Sequence, residues 1–347
     1  MDHNAFCAPM LWNPPSSSEL LKQLQVDEAG RAAIASLAQG TPEWLRSRMG
    51  RLTASNFGAA AGHQGKAKRM KLLKDMVWPE TAGLSGFVQR LAQYGTDHED
   101  IARYVYMTDR IQGNANYTSK NFKIFETGLL VSTSHGWLGA SPDFVVEEPL
   151  SARPPSEVSP SNTHHLHDPY VIEHPGGHYV YLRSGIPHPV PPSEVDGPVV
   201  QGCGEIKCPA AKVKVFYSEK AEHAQYGFPA MYYDQIQGAM AINGWPWCDA
   251  VVFTPERTQV TRFYRNVHYW SKTLFPLLES FYFEMFLPML DMRVAGSLPL
   301  GEIAELSTIP RVPAPVEAWI SPHPEIGDPL KWFGGERVAF TFVVISR

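Results

Sequence analysis

The sequence predicts an α/β fold, and three observations carry that reading. Short runs rich in β-branched and aromatic residues, bounded by Gly, Pro and Ser, recur at 125–132, 137–146, 199–208, 248–254 and 259–266. Helical spacing of apolar residues marks stretches before and between them. At 347 residues and 44% hydrophobic content, the chain is long enough to close one large core or two modest ones.

Taken in order, residues 1–40 form an N-terminal extension, in which Pro14-Pro15-Ser16-Ser17-Ser18 supplies a loop and a cap before a helical stretch from Glu19. The main domain runs from 41 to 298. Its helix at 92–108 carries Glu99 beside Ile101, Ala102, Tyr104 and Val105. A later helix, ending near Gly244, carries Tyr232, Gln235, Ile236, Met240 and Ile242 at roughly helical spacing. Between the second and third strands, residues 147–198 hold eleven prolines and six histidines. So much proline excludes regular helix and central strand, so the segment reads as an insertion loop whose histidines are surface groups. The apolar stretch Leu274–Leu290 is broken by Pro276, Glu279, Glu284 and Pro288 and reads as a buried core helix, not a membrane span. The tail, 299–347, is Pro-rich again, with Trp319 and Trp332 available to dock on the body.

Glu205-Ile206-Lys207 carries the most chemistry. Side chains alternate along a strand, so Glu205 and Lys207 share one face while Ile206 turns into the core. A surface Glu and Lys two apart are usually a solvated ion pair. Here Gly202-Cys203-Gly204 precedes them and Cys208-Pro209 follows, so the charges sit inside an apolar, small-residue element. Asp143 likewise lies between Trp137-Leu138-Gly139-Ala140 and Phe144-Val145-Val146, within an otherwise buried strand. A buried charge needs a partner or a metal. Two carboxylates from neighbouring strands suit Mg²⁺, which prefers few carboxylates together with water and substrate phosphate.

The net charge of −5 excludes a generally basic nucleic-acid coat. The charge is uneven, however. From Trp44 to Lys74 stand eight cations (Arg46, Arg48, Arg51, Lys66, Lys68, Arg69, Lys71, Lys74) and no acid, a strip able to bind phosphates. Four cysteines, at 7, 203, 208 and 248, show no zinc or iron–sulfur spacing and read as reduced thiols. Met1-Asp2-His3-Asn4 lacks the basic start and apolar run of a secretory signal, so an intracellular, non-membrane protein is expected.

Five motifs stand in order: Trp44 with Arg48-Met49-Gly50 and Thr53-Ala54-Ser55; Tyr94-Gly95 with Glu99; Gly139-Ala140-Ser141-Pro142-Asp143; Gly204-Glu205-Ile206-Lys207-Cys208-Pro209; and Tyr232 with Gln235-Ile236-Gln237. On these residues the chain, from about 40 to 255, resembles the phage lambda exonuclease, or YqaJ-like viral recombinase, branch of the restriction-endonuclease-like PD-(D/E)XK nucleases. The resemblance implies a central mixed β-sheet flanked by helices, with 147–198 as an insertion. It implies Mg²⁺-dependent hydrolysis of DNA, with Mn²⁺ able to substitute, and degradation of one strand from the 5′ ends of duplex. Asp143, Glu205 and the Ile206 carbonyl are the metal ligands it implies, Lys207 positions the attacking water, and Glu99 serves a second metal. Gln235 stands near the scissile phosphate, while Arg48 and Ser55, with Arg51, bind DNA and its terminal 5′-phosphate. An amine beside a doubly charged metal site is expected to have its pKa lowered, which suits Lys207 to accept a proton. Double-stranded DNA ends are the implied partner, with a single-strand annealing protein and oligomer formation left open. Phe144 departs from the family, in which glycine commonly follows the motif Asp.

Three other readings stay open on the residues. One is a structure-specific or nicking endonuclease of the same fold. Another is an iron–sulfur variant, disfavoured by the cysteine spacing. The third is a catalytically silent DNA-binding recombination protein, disfavoured by retention of Glu99, Asp143, Glu205 and Lys207 together.

Overall fold

A computed structural model describes residues 12–82, 86–113, 122–149, 199–210, 229–255 and 257–304. Nearly all of the expected insertion with its six histidines, Cys7, and the tail with Trp319 and Trp332 lie outside the described residues.

The first helix, α1 (Ser17–Leu24), starts where Ser16 accepts from the Glu19 amide, and α2 (Glu28–Ala35) starts where Asp27 accepts from the Gly30 amide. Leu20 and Leu24, four apart, are buried in the main core, and Asp291 receives both the amide and the hydroxyl of Ser17 at 2.7 and 2.6 Å. The described part of the N-terminal extension is thus packed into the body. In α3 (Pro42–Arg48), Thr41 caps the Trp44 amide and Pro42 opens the first turn, where its missing N–H costs nothing. Strand β1 (Leu52–Thr53), a short helix α4 (Phe57–Ala60), α5 (Lys66–Val77) and the long α6 (Gly86–Gly113) follow.

Then come β2 (Lys123–Phe125), β3 (Leu130–Val131), β4 (Leu138–Ala140), β5 (Phe144–Pro149), β6 (Val199–Lys207), α7 (Ala230–Asn243), β7 (Trp247–Thr254) and β8 (Arg257–Tyr264). The main sheet has the order β2-β5-β6-β7-β8, with β6 and β7 parallel and the other pairs antiparallel. Parallel neighbours need a crossover, and α7 lies within it, closed by Gly244 at φ 71°. A small second sheet, β1-β4-β3, is also mixed. This is the mixed sheet flanked by helices that the resemblance implies.

The two faces of the main sheet carry separate cores. On one, Ala102, Val105 and Tyr106 of α6 pack on Phe144, Val146, Ile206, Trp247, Val251 and Phe253. The other face packs on α4, α7 and the final helical run. That run alternates α-helical pieces (Val267–Tyr269, Phe275–Glu279, Leu287–Val294) with π-helical ones (Trp270–Leu274, Ser280–Phe286) and buries Leu274, Leu278, Phe281, Tyr282, Met285, Phe286 and Leu290. It is the core helix expected at 274–290. No described helix is long and apolar enough to cross a membrane. Between α6 and the sheet lies a buried charge network: Arg262 binds Glu148 at 2.7 and 3.1 Å and Asp249 at 2.7 and 2.8 Å, Arg110 binds Glu148 at 2.9 Å, and Tyr106 donates to Asp249 at 2.7 Å.

Two expected strands are each broken in two. Residues 125–132 divide between β2 and β3, and 137–146 between β4 and β5, which belong to different sheets. Proline at 142 has no amide to give a ladder, so the chain leaves one sheet there and enters the other at Phe144. Asp143 therefore sits in the bend before β5, not inside a strand.

The departure at Phe144 has a structural counterpart. Phe144 and Gly204 are direct cross-strand partners, and a Cβ at Gly204 would overlap the Phe144 ring. Gly204→Ala should lower stability by about 1–3 kcal/mol through overpacking. Adding Phe144→Leu should recover part of the loss in thermal unfolding. An unchanged melting temperature in Gly204→Ala would contradict this packing.

Candidate active site

Alternation along β6 puts Cys203, Glu205 and Lys207 on the α7 face and leaves Ile206 in the α6-side core. Glu205 is 5% exposed. Its Oε1 accepts from Lys207 Nζ and from Gln235 Nε2, each at 2.5 Å, and its Oε2 takes no hydrogen bond among the described residues. Gln235 reaches it from α7, and the Tyr232 ring, one turn earlier, lies 4.8 Å from Lys207 Nζ.

Asp143 meets the same strand by a different route. Its amide donates to Gly204 O at 3.2 Å, and its Oδ2 accepts the Ile206 amide at 2.5 Å. Pairing of β5 with β6 ends at Phe144–Gly204, so the Asp143 carboxylate occupies the next rung of the ladder. The turn is braced from outside: Gln39 Nε2 donates to Pro142 O and to Thr127 O, both at 2.9 Å.

Glu99, on α6, completes the group. Burial first, then the charge of Asp143 and a hydrogen bond with it, and the charge of Glu205, push Glu99 up to about 8 against the opposing pull of Arg103. Burial and Asp143 likewise hold Glu205 at about 7, opposed by Lys207 and Gln235. Three carboxylates thus crowd one end of the sheet. Burial works to lower Lys207, but Glu205 and Asp143 outweigh it and hold its amine above the usual lysine range. Carboxylates dominate the field around Lys207. Among the described residues, no three His, Cys, Asp or Glu side chains are gathered closely enough to cage a metal by themselves; Glu205 is hydrogen-bonded to Lys207 and Gln235.

Glu205 and Gln235 also line a cleft with Arg48, Thr53, Ala54, Ser55, Ala140, Ser141, Pro142 and Ala239. Arg48 lies over the Trp44 ring, 4.3 Å from its centroid, and donates to Thr53 Oγ1 at 3.1 Å. Burial lowers its pKa to about 10, and it has no carboxylate partner among the described residues. The Ser141 hydroxyl is buried in the same cleft without a hydrogen-bond partner among the described residues. Sequence reasoning gave Ser141 and Thr53 no role. Both stood inside quoted motifs, but nothing in their spacing separates a cleft hydroxyl from an ordinary turn residue.

Two expectations are corrected. Arg51 does not join Arg48 and Ser55: it is 8% exposed, and its guanidinium donates to the carbonyls of Gly136, Ser47 and Leu24 at 2.9, 2.7 and 3.1 Å. Those bonds tie α1, α3 and the turn before β4, a structural task. The basic strip is not continuous either. Arg69 is 1% exposed and lies against the Phe281 ring, Arg46 pairs with Glu43, and Lys71 pairs with Asp75 at 2.5 Å. Both acids fall just outside the acid-free window, within one helical turn of their cations. The thiols of Cys203 and Cys248 meet across β6 and β7 by a hydrogen bond, and burial foremost keeps the Cys248 thiol protonated.

No curated protein matches the chain. Among solved structures it is similar to the crystal structure of an alkaline exonuclease (LHK-Exo) from Laribacter hongkongensis, at 20% identity and a TM-score of 0.44, with 74% of this chain and 96% of that one covered. It is similar to the same protein in complex with dAMP at 20% identity and a TM-score of 0.43, with the same coverage. The family model of the YqaJ-like viral recombinase domain matches residues 43–246, which hold Arg48, Ser55, Glu99, Asp143, Glu205, Lys207 and Gln235. The chain belongs to the family of the YqaJ-like viral recombinase domain.

Proposed function

We propose that the chain is a divalent-metal-dependent DNA exonuclease that engages linear duplex ends and degrades one strand from its 5′ terminus. One observation carries the reading: a single cleft joins Arg48, a desolvated cation with no carboxylate partner among the described residues, to Glu205 and Gln235. A partly desolvated cation without an anion is costly, so such a site favours an anionic ligand. A terminal phosphate bears more charge than an internal diester, and a guanidinium fork suits it. Hydroxyls of Thr53, Ser55 and Ser141 stand ready to share it.

Asp143, Glu205 and the Ile206 carbonyl are hard oxygen donors that fit Mg²⁺, with Mn²⁺ as a substitute. Burial foremost, and then the charge of Asp143, raises Glu99 and Glu205, and a bound cation would offset both. When bound, the ion supplies activation of a water and stabilisation of the leaving oxygen. Lys207, cationic beside Glu205, orients the nucleophile and offsets charge developing on the phosphate. Gln235 holds Glu205 in place and presents its amide to the same cleft.

Asp143→Asn and Glu205→Gln should each reduce digestion of linear duplex by more than about a hundredfold, since losing a ligand exceeds the usual cost of losing an outer-shell partner. Chelation should do the same to the unaltered protein, and folded variants with unaltered rates would exclude this site.

Strand-specific end labels test the direction. The protein should prefer 5′-phosphorylated over 5′-hydroxyl duplex, and Arg48→Ala should cut that preference by roughly tenfold or more, the worth of a charge-assisted hydrogen bond. Indifference to the phosphate, or degradation from 3′ ends, would remove both the pocket and the polarity.

A further inference from the structure

Arg103 has no place in the reading so far. On α6 it stands four residues after Glu99, and its Nη2 donates to Glu99 Oε1 at 3.3 Å. Its Nη1 donates to Asp100 at 3.2 Å and to Glu126 at 2.6 Å. Pairs of this spacing on a helix surface are worth little. This one is not at the surface on the cation's side. The Arg103 side chain is 6% exposed, whereas those of Glu99, Asp100 and Glu126 are 32%, 43% and 59% exposed. A buried guanidinium ringed by half-exposed acids is a poor bargain for stability, because the cation is desolvated and its partners keep competing with water.

The arrangement has a reason if the target is Glu99. That carboxyl group is hydrogen-bonded to Asp143, and Glu205 adds a further negative charge nearby. The Glu99 side chain is 32% exposed, and Arg103 binds it from the same helix. The other anchor of Arg103, Glu126, belongs to the same loop system as Asp143. Glu126 precedes Thr127, whose carbonyl shares the Gln39 amide with Pro142, the residue before Asp143. Arg103 thus ties α6 to the turn after β2, which Gln39 in turn ties to the turn bearing Asp143.

We propose that Arg103 is a positioning residue: anchored on Asp100 and Glu126, it holds the Glu99 carboxylate facing Asp143 so that Glu99 can serve the divalent cation. The inference rests on the nuclease reading given above. Its signature is on metal occupancy, not on the chemical step.

The test uses the full chain and Mn²⁺ alone, titrated by electron paramagnetic resonance without DNA, beside the Mg²⁺ dependence of duplex digestion and a melting curve. Arg103→Met should raise the Mn²⁺ Kd and the half-saturating Mg²⁺ by on the order of tenfold, the usual cost of losing a partner that orients a ligand. The rate at saturating Mg²⁺ should change less than that. Arg103→Lys keeps the charge without the fork and should fall between. In a Glu99→Gln background, Arg103→Met should add nothing further to the Mn²⁺ Kd. A lowered melting temperature with unchanged metal dependence would make Arg103 structural and overturn the proposal, as would a full effect persisting in Glu99→Gln. If Arg103→Met does not fold, Arg103→Lys carries the same comparison. An unaltered chain that binds Mn²⁺ and digests duplex while these variants match it sinks this inference alone; one that does neither sinks the nuclease reading as well.

Discussion

The bend at Pro142-Asp143 is the constraint on which the site depends. Proline ends one sheet, and the residue after it takes up the next two bonds of another: the Asp143 amide on Gly204 O and the Asp143 carboxylate on the Ile206 amide. A carboxylate standing in for a strand is fixed in depth and direction by the ladder itself. It is carried to the end of the strands, beside Glu205, without the cost of a charge inside a sheet interior.

Placing three acids together creates a repulsion that the surroundings answer unevenly. Glu205 is answered by Lys207 and Gln235, both on the same oxygen. Glu99 is answered by Arg103, and Asp143 by a backbone amide. The acids nevertheless stay strained, with Glu99 raised to about 8 and Glu205 to about 7. The structural carboxylate Asp249 behaves in the opposite way: it is fully buried, yet Arg262, Arg110 and Tyr106 hold it below the usual range. The protein can therefore keep a buried carboxylate ionised on the α6 side of the sheet, while at the cleft end burial and mutual repulsion leave Glu99 and Glu205 raised.

Glu205 and Lys207 were legible because a period of two is all that is needed to place them, and the flanking glycines, cysteines and proline mark the strand. The neighbourhood of Asp143 was legible, but its bend was not. A run of small and apolar residues looks like one strand until the proline is weighed against a ladder whose partners are distant in sequence. Arg51 misled for a related reason. Its fate is set by carbonyls at 24, 47 and 136, a convergence that no local pattern records. The pairing at the ends of the basic strip was not legible either, since Glu43 and Asp75 lie within one helical turn of Arg46 and Lys71 but outside the acid-free run from Trp44 to Lys74. Phe144 looked like a defect of the motif, and only the register shows that Gly204 leaves the space its ring fills.

Arg48 and Arg262 together show where the fold leaves charge unspent. Both guanidiniums are desolvated, and both lie over an indole, Arg48 at 4.3 Å from Trp44 and Arg262 at 3.7 Å from Trp247. Arg262 has two carboxylates, which outweigh its burial and hold it well above the usual arginine range. Arg48 has a threonine hydroxyl, and burial alone governs it, down to about 10. At neutral pH it still carries its proton. Burial without an anion costs free energy that a structural arginine has no reason to spend. In the same cleft a serine hydroxyl is left unpaired, and Glu205 and Gln235 also line it. A positive corner and a negative corner, each incompletely satisfied and joined by one cleft, match a ligand that brings phosphate to the first and a divalent cation to the second.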